Sequence, residues 1–348
     1  MTAPSTGRDR TVDALRGLAI VLVVLGHINR GILERQAGMR ASSLGMLDFY
    51  LYTVHMPIFF YLAGYYAWQA IAKHSAAYYL TSRWHNIIYP YIFWSVLTVA
   101  AHQLGTMVTS IHHSVSVVDL ALIAWEPINV LWFLYALLLM QLVALVARRH
   151  PWALLVAALI TSSVWSLFLP VNAFGIIGKS ALHVPFFACG FSMAAAGKKP
   201  IPDVLHLAPM VIAALLVFAV GCAAAVGLGA TAPVTLTLLP LSLCGMIALA
   251  GVVRWSSSSM IGRHLVRLGT LSLPIYLLHS FVLAIVPRLL ARSGYDTIAL
   301  ELAVGTIVGV YGSWAAFSVL RRGGLDGVTG LNPTRAPHLS SARQTRAR

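Results

Sequence analysis

Charged residues are scarce in this 348-residue sequence: they make up 10% of it, against about 25% in a typical soluble domain. Hydrophobic residues make up 59%, and the mean hydropathy is +0.80. A water-soluble fold of this length would have to expose much of that apolar surface, and intrinsic disorder needs the opposite composition. Both classes are therefore excluded, and the composition predicts a protein embedded in a membrane.

Cysteine and acidic residues are also scarce. The three cysteines, Cys189, Cys222 and Cys244, lie within apolar runs, so they indicate neither a disulfide framework nor a redox compartment. An ion-coupled carrier usually needs a carboxylate within its spans, so the position of the acidic residues argues against a transporter without excluding one. The ten acidic residues, all in predicted loops or near predicted helix ends, are Asp9, Asp13, Glu34, Asp48, Asp119, Glu126, Asp203, Asp296, Glu301 and Asp326.

Apolar runs long enough to cross a bilayer, which takes about 20 residues in a helix, recur along the sequence. They predict an all-α polytopic membrane protein with about ten transmembrane helices. A short segment, 1–11, would precede the membrane domain at 12–320, and the tail at 321–348 is predicted to be disordered because it is rich in Gly, Pro, Ser and Arg. The predicted spans are 12–30, 48–72, 86–108, 128–147, 151–170, 174–196, 206–228, 233–253, 270–291 and 297–320.

Lys and Arg are distributed unequally between the two sides of this arrangement. With the N-terminus in the cytoplasm, 18 of the 24 basic residues lie on the inner side, as the positive-inside rule requires. Both termini are therefore predicted to be cytoplasmic, in a multi-pass protein of the plasma or inner membrane, surrounded by membrane lipid. The basic residues stand in twos and threes between apolar runs and form no stripe, so no nucleic acid is expected as a partner.

Histidines are the ionisable residues that lie well inside the predicted spans. Such a side chain is costly in hydrocarbon unless it faces a polar cavity, so each is a candidate for function. We expect His183 to be structural, while an interhelical hydrogen bond and a place in a site are equally good readings of His55 and His279. Asp48 either orients a histidine at the outer end of the second helix or is an ordinary loop residue. The four histidines that lie well inside these spans, in the outer half or near the middle, are His27, His55, His183 and His279.

Motifs of soluble enzymes are missing from the sequence. It contains no GxSxG, no P-loop, no phosphate-binding GxGxxG in context and no HExxH. Two adjacent histidines, His112 and His113, share a predicted outer loop with Asp119 and Glu126, but adjacent histidines are a weak signal, and we predict no metal site.

The first predicted helix carries the clearest polar pattern. Arg16 and His27 are 11 residues apart, which places them on one helix face and about 16 Å apart along the axis, at about 1.5 Å per residue. A guanidinium at the inner end suits a phosphorylated cytoplasmic molecule, and an imidazole further along suits proton transfer. The alternative is that Arg16 anchors the helix at the headgroups and His27 bridges to a neighbouring helix.

Four sequence blocks, in order, resemble the acyltransferase-3 family of integral membrane acyltransferases, and most closely its fucose 4-O-acetylase-like subgroup. The blocks are RTVDALRG with LGH in the first helix, VHMPIFFYLAGY in the second, LWFL in the fourth and LSLPIYLLH near the C-terminus, at residues 10–27, 54–65, 131–134 and 271–279. The resemblance implies a ten-helix O-acyltransferase that moves an acyl group, most often acetyl, from cytoplasmic acyl-CoA to a hydroxyl of a carbohydrate or glycolipid acceptor.

The resemblance also implies roles for particular residues. Arg16 and His27 match the pair that the family needs for catalysis. The second basic motif of the family, Arg-x-x-Arg, corresponds to RWHN at 83–86, which keeps Arg83 and replaces the second arginine with Asn86. His85 or Arg267 would then compensate for the missing guanidinium.

A mechanism follows as a hypothesis. Arg16 and Arg83 bind the phosphates of acyl-CoA, which is a substrate, and no bound cofactor is expected. His27 acts as general base, with an acyl-imidazole intermediate as an open variant. The residues expected to bind or orient the acceptor are His55, Asp48, Trp132 and His279. Stabilisation of the oxyanion is the alternative role for His55 and His279.

Two other functional classes remain open from the sequence. A ten-helix transporter or flippase would move a sugar-linked or acyl substrate without chemistry. A structural membrane protein of a glycan-assembly complex would depend on no single histidine.

Overall fold

A computed structural model describes residues 9–35, 43–108, 118–170, 173–230, 238–294 and 297–331. These ranges are helical and contain no strand. In chain order the α-helices are α1 (Arg10–Arg35), α2 (Ser43–Lys73), α3 (Ala76–Arg83), α4 (Tyr89–Val108), α5 (Asp119–Leu122), α6 (Trp132–Val146), α7 (Pro151–Phe168), α8 (Ile176–Ala195), α9 (Ala208–Gly227), α10 (Leu239–Ser256), α11 (Met260–Thr270), α12 (Ser272–Leu283), α13 (Val286–Ser293) and α14 (Ile298–Arg322).

Nine stretches of helix in the described ranges are long and apolar enough to cross a membrane, which confirms the predicted all-α polytopic fold. The predicted span 48–72 is not among them, although it lies within α2, which is 31 residues long. The tyrosines, His55 and Pro57 of α2 lower its hydropathy. The helix packs against α1, α6, α8, α9 and α10, and its buried polar residues inside the bundle include Tyr52, Thr53, His55 and Tyr65.

The two ends of the bundle are named here by residues of α1. The guanidinium carbon of Arg16 lies 4.9 Å from the ring centroid of Tyr66, near the end of α2, while Arg30 pairs with Asp48 near the start of α2. These contacts make α1 and α2 antiparallel. We call the two ends of the bundle the Arg16 end and the Arg30 end; the Arg16 end is the side predicted to face the cytoplasm.

Glycines allow two pairs of helices to approach closely. A Cβ added at Gly17 of α1 would overlap the carbonyl oxygen of Leu265 in α11, and one at Gly269 would overlap the carbonyl oxygen of Asp13. Gly64 of α2 and Gly190 of α8 have the same relationship to backbone atoms of the opposite helix. The predicted inner connection before the ninth span therefore contains a helix, α11, whose backbone contacts the Arg16 end of α1.

The segment that follows α14 contacts α4 within the described residues, which extend to Leu331. The indole nitrogen of Trp94 donates a hydrogen bond to the carbonyl of Thr329 over 2.9 Å, and the Tyr89 hydroxyl donates to the carbonyl of Val328 over 2.5 Å. Leu331 is 1% exposed. The tail was predicted to be disordered from residue 321, whereas within 321–331 the carbonyls of Val328 and Thr329 accept hydrogen bonds from α4 and Leu331 is buried. Residues 332–348 lie outside the described ranges.

Candidate active site

Three histidines from three helices meet towards the Arg30 end of the bundle. The ring centroids of His27 in α1 and His279 in α12 are 4.9 Å apart. His55 in α2 reaches the same turn of α1 at Gly26, where an added Cβ would stand 3.6 Å from Cε1 of His55 and 3.2 Å from Cε2 of Tyr52. The absence of a side chain at Gly26 therefore lets Tyr52 and His55 pack directly beside His27.

The hydrogen bonds of His55 and His279 define their tautomers. Nδ1 of His55 lies 2.5 Å from the carbonyl oxygen of Leu51, and Nδ1 of His279 lies 2.6 Å from that of Tyr276. A carbonyl only accepts, so in each ring Nδ1 carries the proton and Nε2 presents a lone pair. Both Nε2 atoms are buried without a hydrogen-bond partner among the described residues, and so is the hydroxyl of Tyr52. Buried polar atoms of this kind mark a position for a polar ligand or water.

His27 differs from these two histidines in its exposure. His55 and His279 are 0% exposed, whereas His27 is half-buried and lines a cavity of about 60 Å³ that lies between α1, α12, α13 and α14. Of these three histidines, His27 is therefore the one that lines a cavity. His55 and His279 are fixed beside it by their Nδ1 hydrogen bonds, so that the Nε2 atom of each is an acceptor.

Asp48 contacts the site through Arg30 and not through a histidine. Its carboxylate accepts hydrogen bonds from Nε and Nη2 of Arg30 over 2.9 and 3.1 Å. The Arg30 guanidinium carbon lies 3.1 Å from the ring centroid of Tyr52, whose ring is 6.5 Å from that of His27. Asp48 is thus placed to position Arg30 and Tyr52, an arrangement that the sequence did not indicate.

Trp132 belongs to a second aromatic group next to the histidines. Its ring centroid lies 5.5 Å from that of His183 and 6.1 Å from that of Phe60, and Nζ of Lys179 lies 5.5 Å from its centroid. Phe133 bridges this group to the histidines, since its ring is 4.9 Å from Phe60 and 5.5 Å from Tyr276. The structure therefore separates Trp132 from the three-histidine cluster by one layer of aromatic rings.

The two predicted donor-binding arginines lie on different elements at the Arg16 end. The side chain of Arg16 is 27% exposed, and its Nη1 is 4.0 Å from the carboxylate of Asp13. Nη1 of Arg83, at the end of α3, donates to Oε1 of Gln141 over 2.7 Å, and Tyr79 donates to the same oxygen over 3.0 Å. Gln141 on α6 thus holds Arg83 in place.

The backbone immediately after Arg83 forms a π-helix, Trp84–Ile88, which is a rare conformation often found at functional sites. Within it Asn86, the residue that replaces the second arginine of the family motif, donates to the hydroxyl of Ser82 over 3.1 Å. His85 is exposed, and its Nδ1 lies 2.8 Å from the carbonyl oxygen of Thr81. Asn86 therefore supports the local turn.

An apolar cavity of about 90 Å³ separates the Arg16 end from the histidines. On α1 its wall includes Val23, one helical turn before His27 on the side of Arg16. The whole lining is Val23, Met56, Phe59, Phe133, Ser272, Leu273 and Tyr276. Cationic side chains at one end, an apolar cavity in the middle and imidazoles beyond it can bind a long anionic molecule whose reactive end is uncharged.

No group of three or more His, Cys, Asp or Glu side chains is placed to hold a metal ion within the described ranges. The His112–His113 pair lies outside them.

The sequence profile described as "Acyltransferase domain" matches residues 9–318, which include the cationic, apolar and histidine parts of this site. The chain belongs to the acyltransferase-3 family.

Two curated relatives of this acyltransferase-3 chain are nodulation proteins NolL. The one from Sinorhizobium fredii is 26% identical over 199 residues, which are 56% of this chain and 50% of the relative. The one from Mesorhizobium japonicum is 25% identical over 198 residues, or 55% of this chain and 49% of the relative. The chain thus spans about half the length of the curated relatives it matches. No solved structure matches this chain.

Two residues of this acyltransferase-3 site were not assigned a role from the sequence. Gln141 holds Arg83, and its uncharged amide carries no signal in the sequence because only ionisable side chains stand out within an apolar run. Tyr276 lines the apolar cavity, donates a hydrogen bond to the carbonyl of Val130, and stands one turn before His279. Spacings of three residues on a helix place side chains on one face, so the LSLPIYLLH block contained this signal.

Proposed function

We propose that this membrane acyltransferase moves an acyl group, with acetyl as the leading candidate, from cytoplasmic acyl-CoA to a hydroxyl of a carbohydrate-containing acceptor. The observation that carries the proposal is the contact of His27 with His279 across the apolar cavity from Arg16. The Arg16 end would face the cytoplasm and receive the donor.

Arg16 and Arg83 would bind the phosphates of the donor. Guanidinium groups form strong, charge-assisted hydrogen bonds with phosphate oxygens. Since α1 is continuous from Arg10 to Arg35, Arg16 and His27 are about 16 Å apart, at about 1.5 Å per residue. The extended pantetheine arm has a comparable length, and the apolar cavity at Val23 lies on this route. A donor held at Arg16 would therefore present its thioester near His27.

His27 would act as the general base. The acceptor hydroxyl oxygen attacks the thioester carbonyl carbon and forms the ester bond, while its proton passes to the neutral imidazole. The carbon–sulfur bond then breaks, and the imidazolium returns the proton to the CoA thiolate. No redox step or further reactant is needed. An acyl-imidazole on His27 is the alternative route, with two transfers in place of one.

The tautomers of the neighbouring histidines support one of two roles considered for them. An oxyanion needs hydrogen-bond donors. Nε2 of His55 and Nε2 of His279 are acceptors, because the proton of each ring is on Nδ1 and bound to a backbone carbonyl. These atoms suit an acceptor hydroxyl that donates to them, so we assign both residues to orientation of the acceptor.

The acceptor class rests on the resemblance to fucose 4-O-acetylase-like proteins and on the family membership. The matched relatives are called nodulation proteins, and their names specify no substrate. We therefore propose a carbohydrate or glycolipid hydroxyl and name no individual sugar.

The decisive experiment measures release of CoA from acetyl-CoA by the protein in nanodiscs, with and without a delipidated cell-envelope glycan extract. We expect the extract to stimulate release in the wild type, and His27→Gln and Arg16→Gln to abolish the stimulation. His150→Gln is the matched control, because His150 is exposed between α6 and α7. A transporter would consume no thioester, so absence of CoA release from folded wild-type protein with the extract would overturn the proposal.

A further inference from the structure

A second polar pair lines the cavity beside His27. Arg35, in the last turn of α1, forms an ion pair with Glu301, in the first turn of α14. Neither residue has a part in the mechanism above. The cavity lining is His27, Ile28, Gly31, Arg35, Leu283, Val286, Pro287, Glu301 and Gly305.

The burial of Glu301 is unusual for an ion pair at a helix end. Its side chain is 13% exposed, whereas that of Arg35 is 47% exposed. Exposed ion pairs add little to stability because water competes for both partners. Here the carboxylate is largely withdrawn from water and lies in the wall of the cavity, while the guanidinium that pairs with it is half exposed. The pair therefore sits at the mouth of the cavity that His27 also lines.

The α1 wall of this cavity has open space at Gly31. Within 4 Å, a Cβ added there would meet one atom, Nη1 of Arg35 at 3.6 Å. Gly31 is one turn beyond His27 on the same face of α1, so no side chain at position 31 stands between the ion pair and the imidazole. At about 60 Å³ the cavity has room for a few water-sized groups and not for a sugar ring.

We propose that Arg35 and Glu301 form a subsite that binds an uncharged sugar residue of the acceptor at the cavity mouth, while the reacting hydroxyl enters beside His27. This inference rests on the proposed function. A carboxylate accepts and a guanidinium donates, so together they bind two neighbouring hydroxyls with charge-assisted hydrogen bonds. The pair is neutral overall, and an anionic sugar would draw Arg35 away from the largely buried Glu301 carboxylate and leave that charge unpaired, which selects against it.

The first test measures initial rates of the nanodisc protein against the concentration of the neutral fraction of the envelope glycan extract, and separately against acetyl-CoA. Loss of a hydrogen bond to a charged group predicts that Glu301→Gln and Arg35→Gln raise the KM for the glycan about 10- to 100-fold and leave that for acetyl-CoA within about twofold. Asp203→Asn is the control. Asp203 lies in the connection after α8, where it forms ion pairs with Lys199 and with Arg254 of α10, and it does not line the cavity.

The reversed pair, Arg35→Glu with Glu301→Arg, distinguishes two roles of this ion pair. One role is to bind the glycan, and the other is only to link α1 to α14. It restores an ion pair but exchanges the positions of donor and acceptor. We expect it to keep the elevated glycan KM, whereas recovery of the wild-type value would show that the pair acts only as a structural link and would overturn the subsite.

A second measurement does not depend on acyl transfer. Diethyl pyrocarbonate carbethoxylates accessible imidazoles, and mass spectrometry reports the extent at His27 relative to exposed His150. Gly31→Leu would fill the cavity, and we expect it to slow modification of His27 at least about fivefold, as steric exclusion from the cavity requires. An unchanged rate would overturn the cavity as the opening to His27.

Transfer retained with an unchanged glycan KM in Glu301→Gln would overturn the subsite alone, whereas no transfer by the wild type would overturn the proposed function as well.

Discussion

The imidazoles of His27 and His279 face each other from α1 and α12, with ring centroids 4.9 Å apart and ring planes inclined at 47°. The two residues are separated by most of the membrane domain in sequence. His279 is anchored through Nδ1 to the carbonyl of Tyr276, so it is the oriented member, and His27 is the member that lines a cavity. This division of roles makes the two histidines unequal, and substitutions can distinguish them.

Replacing His279 should impair acceptor use without removing the base. We expect His279→Asn, whose side chain reaches less far, to lower kcat/KM for the acceptor about 10- to 100-fold, because a hydrogen bond to the hydroxyl is lost. His27→Gln should cost about 100- to 10,000-fold in kcat, since it removes the proton acceptor. Steady-state CoA release at varied acceptor concentration provides the comparison. Equal losses of kcat in both variants would contradict the assignment.

The Gln141 amide should affect the donor and not the acceptor. Gln141→Leu removes the acceptor for both Arg83 and Tyr79, so Arg83 is no longer held. We expect the KM for acetyl-CoA to rise about tenfold, as for the loss of one charge-assisted hydrogen bond, with the acceptor KM unchanged. Gln141→Glu would place a carboxylate that competes with the donor phosphates for Arg83, so it should raise the donor KM as well. An unchanged donor KM in Gln141→Leu would show that Gln141 acts in another way.

The crossing of α1 and α11 should be intolerant of any side chain. Gly17→Ala places a Cβ against the Leu265 carbonyl, and overpacking against rigid backbone costs about 1–3 kcal/mol or more. We expect a lower thermal midpoint in detergent, measured by circular dichroism. Gly227→Ala at the end of α9 is the control, because an added Cβ there has open space. Equal midpoints for the two variants would show that α11 does not pack on α1 as described.

The segment after α14 should contribute to stability. Leu331 is 1% exposed, so Leu331→Ala should lower the free energy of unfolding by about 2–5 kcal/mol, the usual cost of truncating a buried leucine. Leu325→Ala, at a residue 48% exposed in the same segment, is the matched control and should change little. The difference between the thermal midpoints of the two variants measures how much the packing of this segment stabilises the protein. Its absence would indicate that this segment is not packed against α4 in the membrane protein.

Much of the site could be predicted because individual residues are expensive in a membrane. An imidazole within an apolar run stands out wherever it occurs, and the Arg16–His27 spacing follows from helix geometry alone. Gln141, Tyr276 and the Arg35–Glu301 pair could not be found in this way. Each gains its role from a residue on another helix, and periodicity along one helix contains no information about its neighbours.

The composition and the lengths of the apolar runs determined by themselves that this is a helical membrane protein. The 11-residue spacing of Arg16 and His27 likewise determined that both side chains lie on one face of the first helix, about three turns apart. Only the tertiary structure decided that Asp48 binds Arg30, that His279 faces His27, and that residues 323–331 fold back onto α4. The physical reason is that a helix satisfies its own backbone hydrogen bonds, so its existence is a local property. The partner of a polar side chain depends on which helices pack together, and that is set by close contacts such as those at Gly17 and Gly64.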